Sequence, residues 1–171
     1  MYPEHYRSSP RFFEDCCIPT SPQAPLDAAA ELAAYAGLLP FILCLLAMAL
    51  LPSYEWRLLA QQIALAYGAV LLASAGAVHF GLALGGRLAW GPRRLLGAAL
   101  PVICGAAAIV LSGQRGLGLL VIGFGVLWLY EHRRMKDELP ESYLSLRRNL
   151  SVAGCALLAL TMILSDYVGL T

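Results

Sequence analysis

The stretch Leu58–Leu84, LLAQQIALAYGAVLLASAGAVHFGLAL, decides the fold. Its 27 residues include no Asp, Glu, Lys or Arg, and only Gln61, Gln62, Ser74 and His79 interrupt the apolar run. About 20 apolar residues in an α-helix, rising about 1.5 Å each, cross the hydrocarbon core of a bilayer. A helix of this composition has no face to offer to water, so the stretch predicts a transmembrane span. Its small residues fall into two rows. One ridge at four-residue spacing runs Ala69, Ala73, Ala77, Gly81 and Gly85, and the face of His79 carries Gly68, Ala75, Gly76, Ala83 and Gly86. Helices in lipid associate by close backbone contact, which small residues permit. Small residues on two sides predict neighbours on two sides and place this helix at the centre of a bundle.

Four more apolar runs flank it. Leu32–Leu51 precedes it without a charge. Leu95–Ser112 and Leu117–Tyr130 follow, joined by the turn Gly113-Gln-Arg-Gly116, and Leu150–Val168 completes the set with Asp166 near its end. The third and fourth runs are short for a full crossing. They predict a hairpin that tilts little, thins the bilayer, shelters against the other helices or re-enters. Gly97, Pro101 and Gly105 form another small-residue ridge, and Pro40 and Pro101 each remove a helical hydrogen bond, which predicts kinks. Composition agrees: 59% of the 171 residues are hydrophobic and 13% charged, against about 45–50% and about 25% in soluble domains. The fold class is therefore all-α and integral to a membrane. A bundle of about five transmembrane helices over residues 31–171 follows a proline-rich tail, residues 1–30.

The net charge of +1 excludes a broad basic surface for nucleic acid. Its distribution gives the orientation, because Lys and Arg accumulate in cytoplasmic segments. Ten basic residues fall in the tail and in the second and fourth connections: Arg7, Arg11, Arg87, Arg93, Arg94, Arg133, Arg134, Lys136, Arg147 and Arg148. Only Arg57 and Arg115 fall on the opposite side. The N-terminus is expected inside and the C-terminus outside. Trp90, Trp128 and Tyr130 would mark the inner interface; Tyr54, Trp56 and Tyr167 would mark the outer one. Arg93, Arg94, Arg133, Arg134, Lys136 and Arg148 are expected to meet lipid headgroups, at about 1 kcal/mol per basic residue near the surface. The segment Glu141–Arg148, after Pro140, reads as part of a solvated connector with basic anchors or as a turn or two of helix lying on that surface.

The tail holds five of the ten prolines, Pro3, Pro10, Pro19, Pro22 and Pro25, so it forms no continuous helix. It also carries Tyr2, Tyr6, Phe12, Phe13 and Ile18, more apolar anchoring than an idle linker needs. Residues 1–26 are expected to contact other membrane subunits. With Glu4, Glu14 and Asp15 and no short basic start, the tail resembles neither a cleavable signal nor a transit peptide. Cys44, Cys104 and Cys155 sit in apolar runs as small packing residues, while Cys16 and Cys17 lack the second ligand pair of a zinc site.

An ionisable residue inside a span is costly and is a candidate functional group by default. His79 lies near the C-terminal end of its run, and Glu131 and His132 close the fourth run on the same side. The three predict a polar cluster in which Glu131 accepts a hydrogen bond from His79, with basic residues nearby. Such a cluster suits a proton relay, a quinone-headgroup contact or a ligand pocket, or else a structural lock between two helices. Haem ligation would need two histidines at matching depth, which His132 at its helix end does not provide. The chain has no Ser-His-Asp set, paired acidic metal motif, glycine-rich phosphate loop or CxxC, so neither cofactor nor metal is expected.

Several segments together resemble a family of five-span membrane proteins of unknown function, common in proteobacteria, that includes the mitochondrial transmembrane protein sixty-nine of animals. They are Ala36-Gly-Leu-Leu-Pro-Phe41, Tyr67-Gly-Ala-Val, Gly76-Ala-Val-His-Phe-Gly81, Pro101, Tyr130-Glu-His-Arg-Arg134 and Pro140-Glu-Ser-Tyr-Leu-Ser-Leu-Arg147. The resemblance covers roughly residues 32–165. Phe80 and Glu131 depart from the tryptophan and aspartate expected at those positions. The resemblance implies a five-span fold, with His79, Glu131, Tyr143 and Arg147 as the polar positions, and it implies no activity. The expected function is a non-enzymatic accessory or assembly subunit of a larger, energy-transducing inner-membrane complex. The alternative is a small transporter or channel with a polar site around His79 and Glu131. The expected location is the bacterial inner membrane or, in the alternative, the mitochondrial one. A C-terminal reporter that works only after export is expected to be active; activity of a cytoplasm-only reporter at that position would reverse the topology.

Overall fold

The computed structural model describes residues 28–85, 91–134, 141–167 and 169, apart from the side chains at 30, 82, 92–94, 134, 141 and 143. Cys16, Cys17, Gly86, Arg87, Trp90, Lys136, Pro140 and the tail contacts expected of residues 1–26 lie outside the described residues. The described residues form a helical bundle without strands: α1 (Ala28–Ala36), α2 (Leu39–Leu50), α3 (Tyr54–Leu84), α4 (Pro92–Leu111), α5 (Gly113–Arg134) and α6 (Glu141–Tyr167). Four stretches are long and apolar enough to cross a membrane: Glu31–Leu50, Tyr54–Gly81, Gly113–Arg133 and Leu144–Tyr167. The apolar part of α4, Leu95–Leu111, is shorter. The chain is a membrane helical bundle.

Three expectations need correction. The run Leu32–Leu51 is two helices, because the chain breaks at Gly37-Leu38 and Pro40 occupies the first turn of α2. There its missing N–H has no carbonyl to serve, so Pro40 starts a helix instead of kinking one. The turn between α4 and α5 is tighter than expected. Ser112 and Gly113 make it with φ of 47° and 51°, and α5 begins at once. Gly116 thus lies inside α5, where its missing side chain lets the helix pack on the Ala108 carbonyl. This lengthens the fourth run to a full crossing, and of the expected short pair only α4 stays short. Finally, Glu141–Arg148 is neither a connector nor a separate surface helix. It forms the first two turns of α6, continuous with the last span.

The centre of the bundle is α3, as its two rows of small residues require. On the His79 face Gly68, Ala75, Gly76 and Ala83 are all buried. A Cβ on Gly68 would lie 2.8 Å from Leu120 Cδ1, and one on Gly76 would lie 2.6 Å from the carbonyl oxygen of Ala98 in α4. The ridge at four-residue spacing is used over half its length. Ala69 is buried where Gly105 of α4 approaches its carbonyl, at 2.8 Å from a Cβ built on that glycine. Further along, Ala77, Gly81 and Gly85 are exposed, and nothing lies within 4 Å of a Cβ built on Gly81. Among the described residues Gly81 therefore meets no other helix; Gly85, also exposed, caps α3, its N–H bonding the Gly81 carbonyl at 2.9 Å. Pro101 is buried inside α4 against the space at Gly76.

Phe41, Leu65, Leu72, Leu117, Leu120 and Leu158 fill the interior, joined by Cys44. Phe41 meets Tyr67 edge-on at 5.2 Å, and the Tyr67 hydroxyl donates to the Gly37 carbonyl at 2.7 Å, which fixes the α1–α2 break against α3. Outward-facing Val70, Ile103, Val110, Ile122 and Ile163 are largely exposed, as surfaces that contact lipid are. Overpacking a close helix contact costs about 1–3 kcal/mol. Gly76→Ala is therefore expected to lower the detergent melting temperature clearly, and Gly81→Ala to leave it unchanged. Equal effects would place the close contact elsewhere.

Candidate functional site

Glu131 sits in the last turn of α5 and is 2% exposed. A carboxylate so deep needs partners, since the desolvation cost of an isolated buried charge runs to several kcal/mol. It has two. His79 of α3 brings Nε2 to 3.3 Å from Oε1. Arg147 of α6 donates from Nε to Oε2 at 3.2 Å and places Nη2 3.1 Å from Oε1. The Nη2 contact is an ion pair without hydrogen-bond alignment, and that buried nitrogen has no other partner. Three helices, α3, α5 and α6, thus meet on one carboxylate.

His79 is 8% exposed, and both of its ring nitrogens face oxygen. Nδ1 lies 3.2 Å from the Ala75 carbonyl oxygen, one turn back, while Nε2 faces Glu131. The Tyr130 ring stands edge-on to the imidazole at 6.2 Å. A neutral imidazole carries one N–H and can donate to one of these oxygens. Both contacts become hydrogen bonds only with a proton on Nδ1 and another between Nε2 and Oε1, borne by the ring or by the carboxyl. The chemistry open to this set is the holding of a proton between two helices.

The other candidates divide. His132 does not join the cluster: it is exposed and stacks on Trp128 at 5.6 Å and 18°. Successive helical residues point about 100° apart, so Glu131 and His132 cannot both face α3. Tyr143 lies in α6, with its side chain outside the described residues, as are those of Arg93 and Arg94 in α4 and Arg134 in α5. Arg133 and Arg148 are exposed at the same end of the bundle as the cluster. Among the described residues no group of three or more His, Cys, Asp or Glu is placed to hold a metal ion.

A second polar set, unforeseen in the sequence, occupies the opposite end. Gln61 of α3, 2% exposed, donates from Nε2 to Ser165 Oγ of α6 at 2.6 Å. Gln114 of α5 donates to the Met162 carbonyl at 3.1 Å, while its own buried carbonyl oxygen has no partner. Thr161, also buried, returns its hydroxyl to the Leu157 carbonyl at 2.8 Å. The available signal was the polarity of Gln61, Gln114, Thr161 and Ser165 in an apolar context, since a polar group in lipid must find its partner within the protein. Sequence spacing does not say which partner.

The carboxylate loses more with Arg147 than with His79. Removing one partner of a buried ion pair costs about 3–5 kcal/mol, against about 1–3 kcal/mol for one hydrogen-bond partner. Arg147→Ala is thus expected to lower thermal stability in detergent more than His79→Ala, and Glu131→Gln in the Arg147→Ala background to recover part of the loss. A larger loss from His79→Ala would invert the hierarchy.

Searches of curated proteins and of solved structures each find no match to the chain. One family model does match, described as a protein of unknown function (DUF3429), over residues 26–163. That range spans all of α1–α5, most of α6, and each member of the His79–Glu131–Arg147 cluster. The chain belongs to this family of proteins of unknown function.

Proposed function

We propose that the protein is a non-enzymatic accessory or assembly subunit that joins a larger complex of an inner membrane, an energy-transducing one in this reading. The observation that carries the reading is the divided ridge of α3. At Ala69 the ridge receives a helix of the same chain with backbone-to-backbone closeness, whereas Ala77, Gly81 and Gly85 continue the four-residue spacing and stay exposed. Small residues repeated at this spacing are how membrane helices admit one another. The uncovered half offers the same geometry to a helix from another subunit. Around it Val78 and Leu84 add exposed apolar area. The apolar and aromatic residues of the tail support the same reading, as a second point of attachment on the side taken as cytoplasmic.

The reading extends to location and kinship. Ten of the twelve basic residues fall on the side of the tail, which supports a bacterial inner membrane with the N-terminus in the cytoplasm, or the equivalent matrix-facing arrangement in mitochondria. The motifs around His79, Glu131 and Arg147 support kinship with the five-span proteins named above. A small transporter or channel is the second reading, favoured by the proton that His79 and Glu131 can hold. Against an open pore stand Leu72, Leu117, Leu120 and Leu158, fully buried in the interior.

The test enlarges Gly81. Solubilised gently from native membranes, the wild-type protein is expected to migrate as a discrete large assembly. Gly81→Leu should migrate as a small species with an unchanged detergent melting temperature. A wild-type protein that runs alone, or a Gly81→Leu variant that stays in the assembly, overturns the proposal.

A further inference from the structure

Between the end of α5 and the first two turns of α6 lies an open groove of about 240 Å³, lined by Trp128, Glu131 and His132 on one side and by Leu144, Ser145, Arg147 and Arg148 on the other. Its volume is below the roughly 300–1,000 Å³ of a site that encloses a drug-sized ligand. It therefore suits part of a molecule whose remainder lies outside.

Among the described residues the charges of the groove do not cancel. Both oxygens of Glu131 are engaged by Arg147, and one of them also by His79, so the carboxylate and one guanidinium offset each other. Arg148 remains as an exposed cation on the rim, and the exposed ring of His132 adds an N–H donor. The Ser145 hydroxyl already donates to the Ser142 carbonyl at 2.9 Å, which leaves the donation to Arg148 and His132. Arg147 contributes further, with 20% of its side chain still exposed. The other wall is apolar: the indole of Trp128, stacked on His132, and Leu144. Trp128 thus stands at the junction of a polar and an apolar surface, the environment in which tryptophan collects at membrane interfaces.

We propose that this groove is a binding site for the phosphate group of an anionic phospholipid, with Arg148 and His132 holding the phosphate and Trp128 and Leu144 lying along the start of the acyl chains. A free phosphate ion would use the cationic rim and leave the apolar wall unused; a phospholipid uses both. The site differs from general attraction of basic residues to a charged membrane, because Arg133 is also exposed at the same end of the bundle yet lines no part of the groove. Guanidinium contacts to phosphate are charge-assisted and among the stronger hydrogen bonds.

Native mass spectrometry on the full chain in detergent, titrated with phosphatidylglycerol or phosphatidylcholine, tests the proposal. Thermal melting with inorganic phosphate or glycerol phosphate runs alongside. Retention of one phosphatidylglycerol in preference to phosphatidylcholine is expected. Arg148→Ala should weaken that retention about tenfold, the effect of one charge-assisted contact, and Arg133→Ala should not. Arg148 is exposed, so its variant should melt as the wild type does in phosphatidylcholine; Arg148→Gln gives the same comparison should Arg148→Ala fail to fold. Equal loss from Arg133→Ala would reduce the effect to surface charge and overturn the site. Stabilisation by inorganic phosphate equal to that by phosphatidylglycerol would overturn the lipid as its occupant, and indifference to headgroup would overturn both.

Discussion

A carboxylate buried at the end of a membrane helix cannot be left unpaired, and much of the arrangement follows from how Glu131 is paired. His79 reaches it from α3 and Arg147 from α6. Since α5 bears the carboxylate, one charge fixes the rotation and the depth of three helices together. Apart from this cluster and the Gln61–Ser165 set at the other end, the interior is apolar, and dispersion among leucines would tolerate many sliding registers. A guanidinium that holds one carboxylate oxygen by a hydrogen bond and the other as an ion pair tolerates few. Its effect is specificity of arrangement more than net stability, because the desolvation of buried ions offsets much of their attraction.

The small residues of α3 act in a complementary way. They supply no directional contact, but at Gly68 and Gly76 they let neighbouring helices approach until a side chain or a backbone carbonyl fills the place of a missing Cβ, as Gly105 of α4 does in turn for the Ala69 carbonyl. Lipid does not drive apolar side chains together as water does, so closeness itself is the source of cohesion. The polar cluster selects the arrangement, and the glycine contacts hold it. Where the same ridge continues uncovered past Ala77, the structure keeps the means of association without using it.

The sequence made the membrane class and the central place of α3 plain, because both depend on runs of residues of one kind. It also made the meeting of His79 with Glu131 legible, since each is a lone ionisable group near the same end of an apolar run. The failures share a cause: one residue type can serve two purposes. Gly116 read as a turn residue and is a packing residue, while Gly81 read as a packing residue and meets no other helix among the described residues. Pro40 read as a kink and begins a helix. His132 read as a partner of Glu131 because adjacency in sequence was taken for adjacency in space, which a helix does not allow. From its own surroundings Arg147 read as one more basic residue beside the membrane; only the resemblance singled it out. Gln61 and Ser165 find each other across 104 positions, and no local pattern encodes such a pairing.

The two polar sets have a consequence for the surroundings of the protein. Gln61 and His79 lie 18 positions apart on α3, which at about 1.5 Å per residue is about 27 Å. Each is tied to α6, one through Ser165 and the other through Glu131 and Arg147, so the separation cannot relax by one helix sliding on another. The distance is close to the hydrocarbon thickness of a typical bilayer, about 30 Å. The bundle therefore carries a built-in ruler, with polar marks at both ends and apolar length between. A membrane thicker or thinner than this rule would have to deform locally or expose mismatched surface, at a cost of fractions of a kcal/mol for each ångström. Summed around the circumference, that cost gives the protein a preference among the membranes of a cell that have different thicknesses.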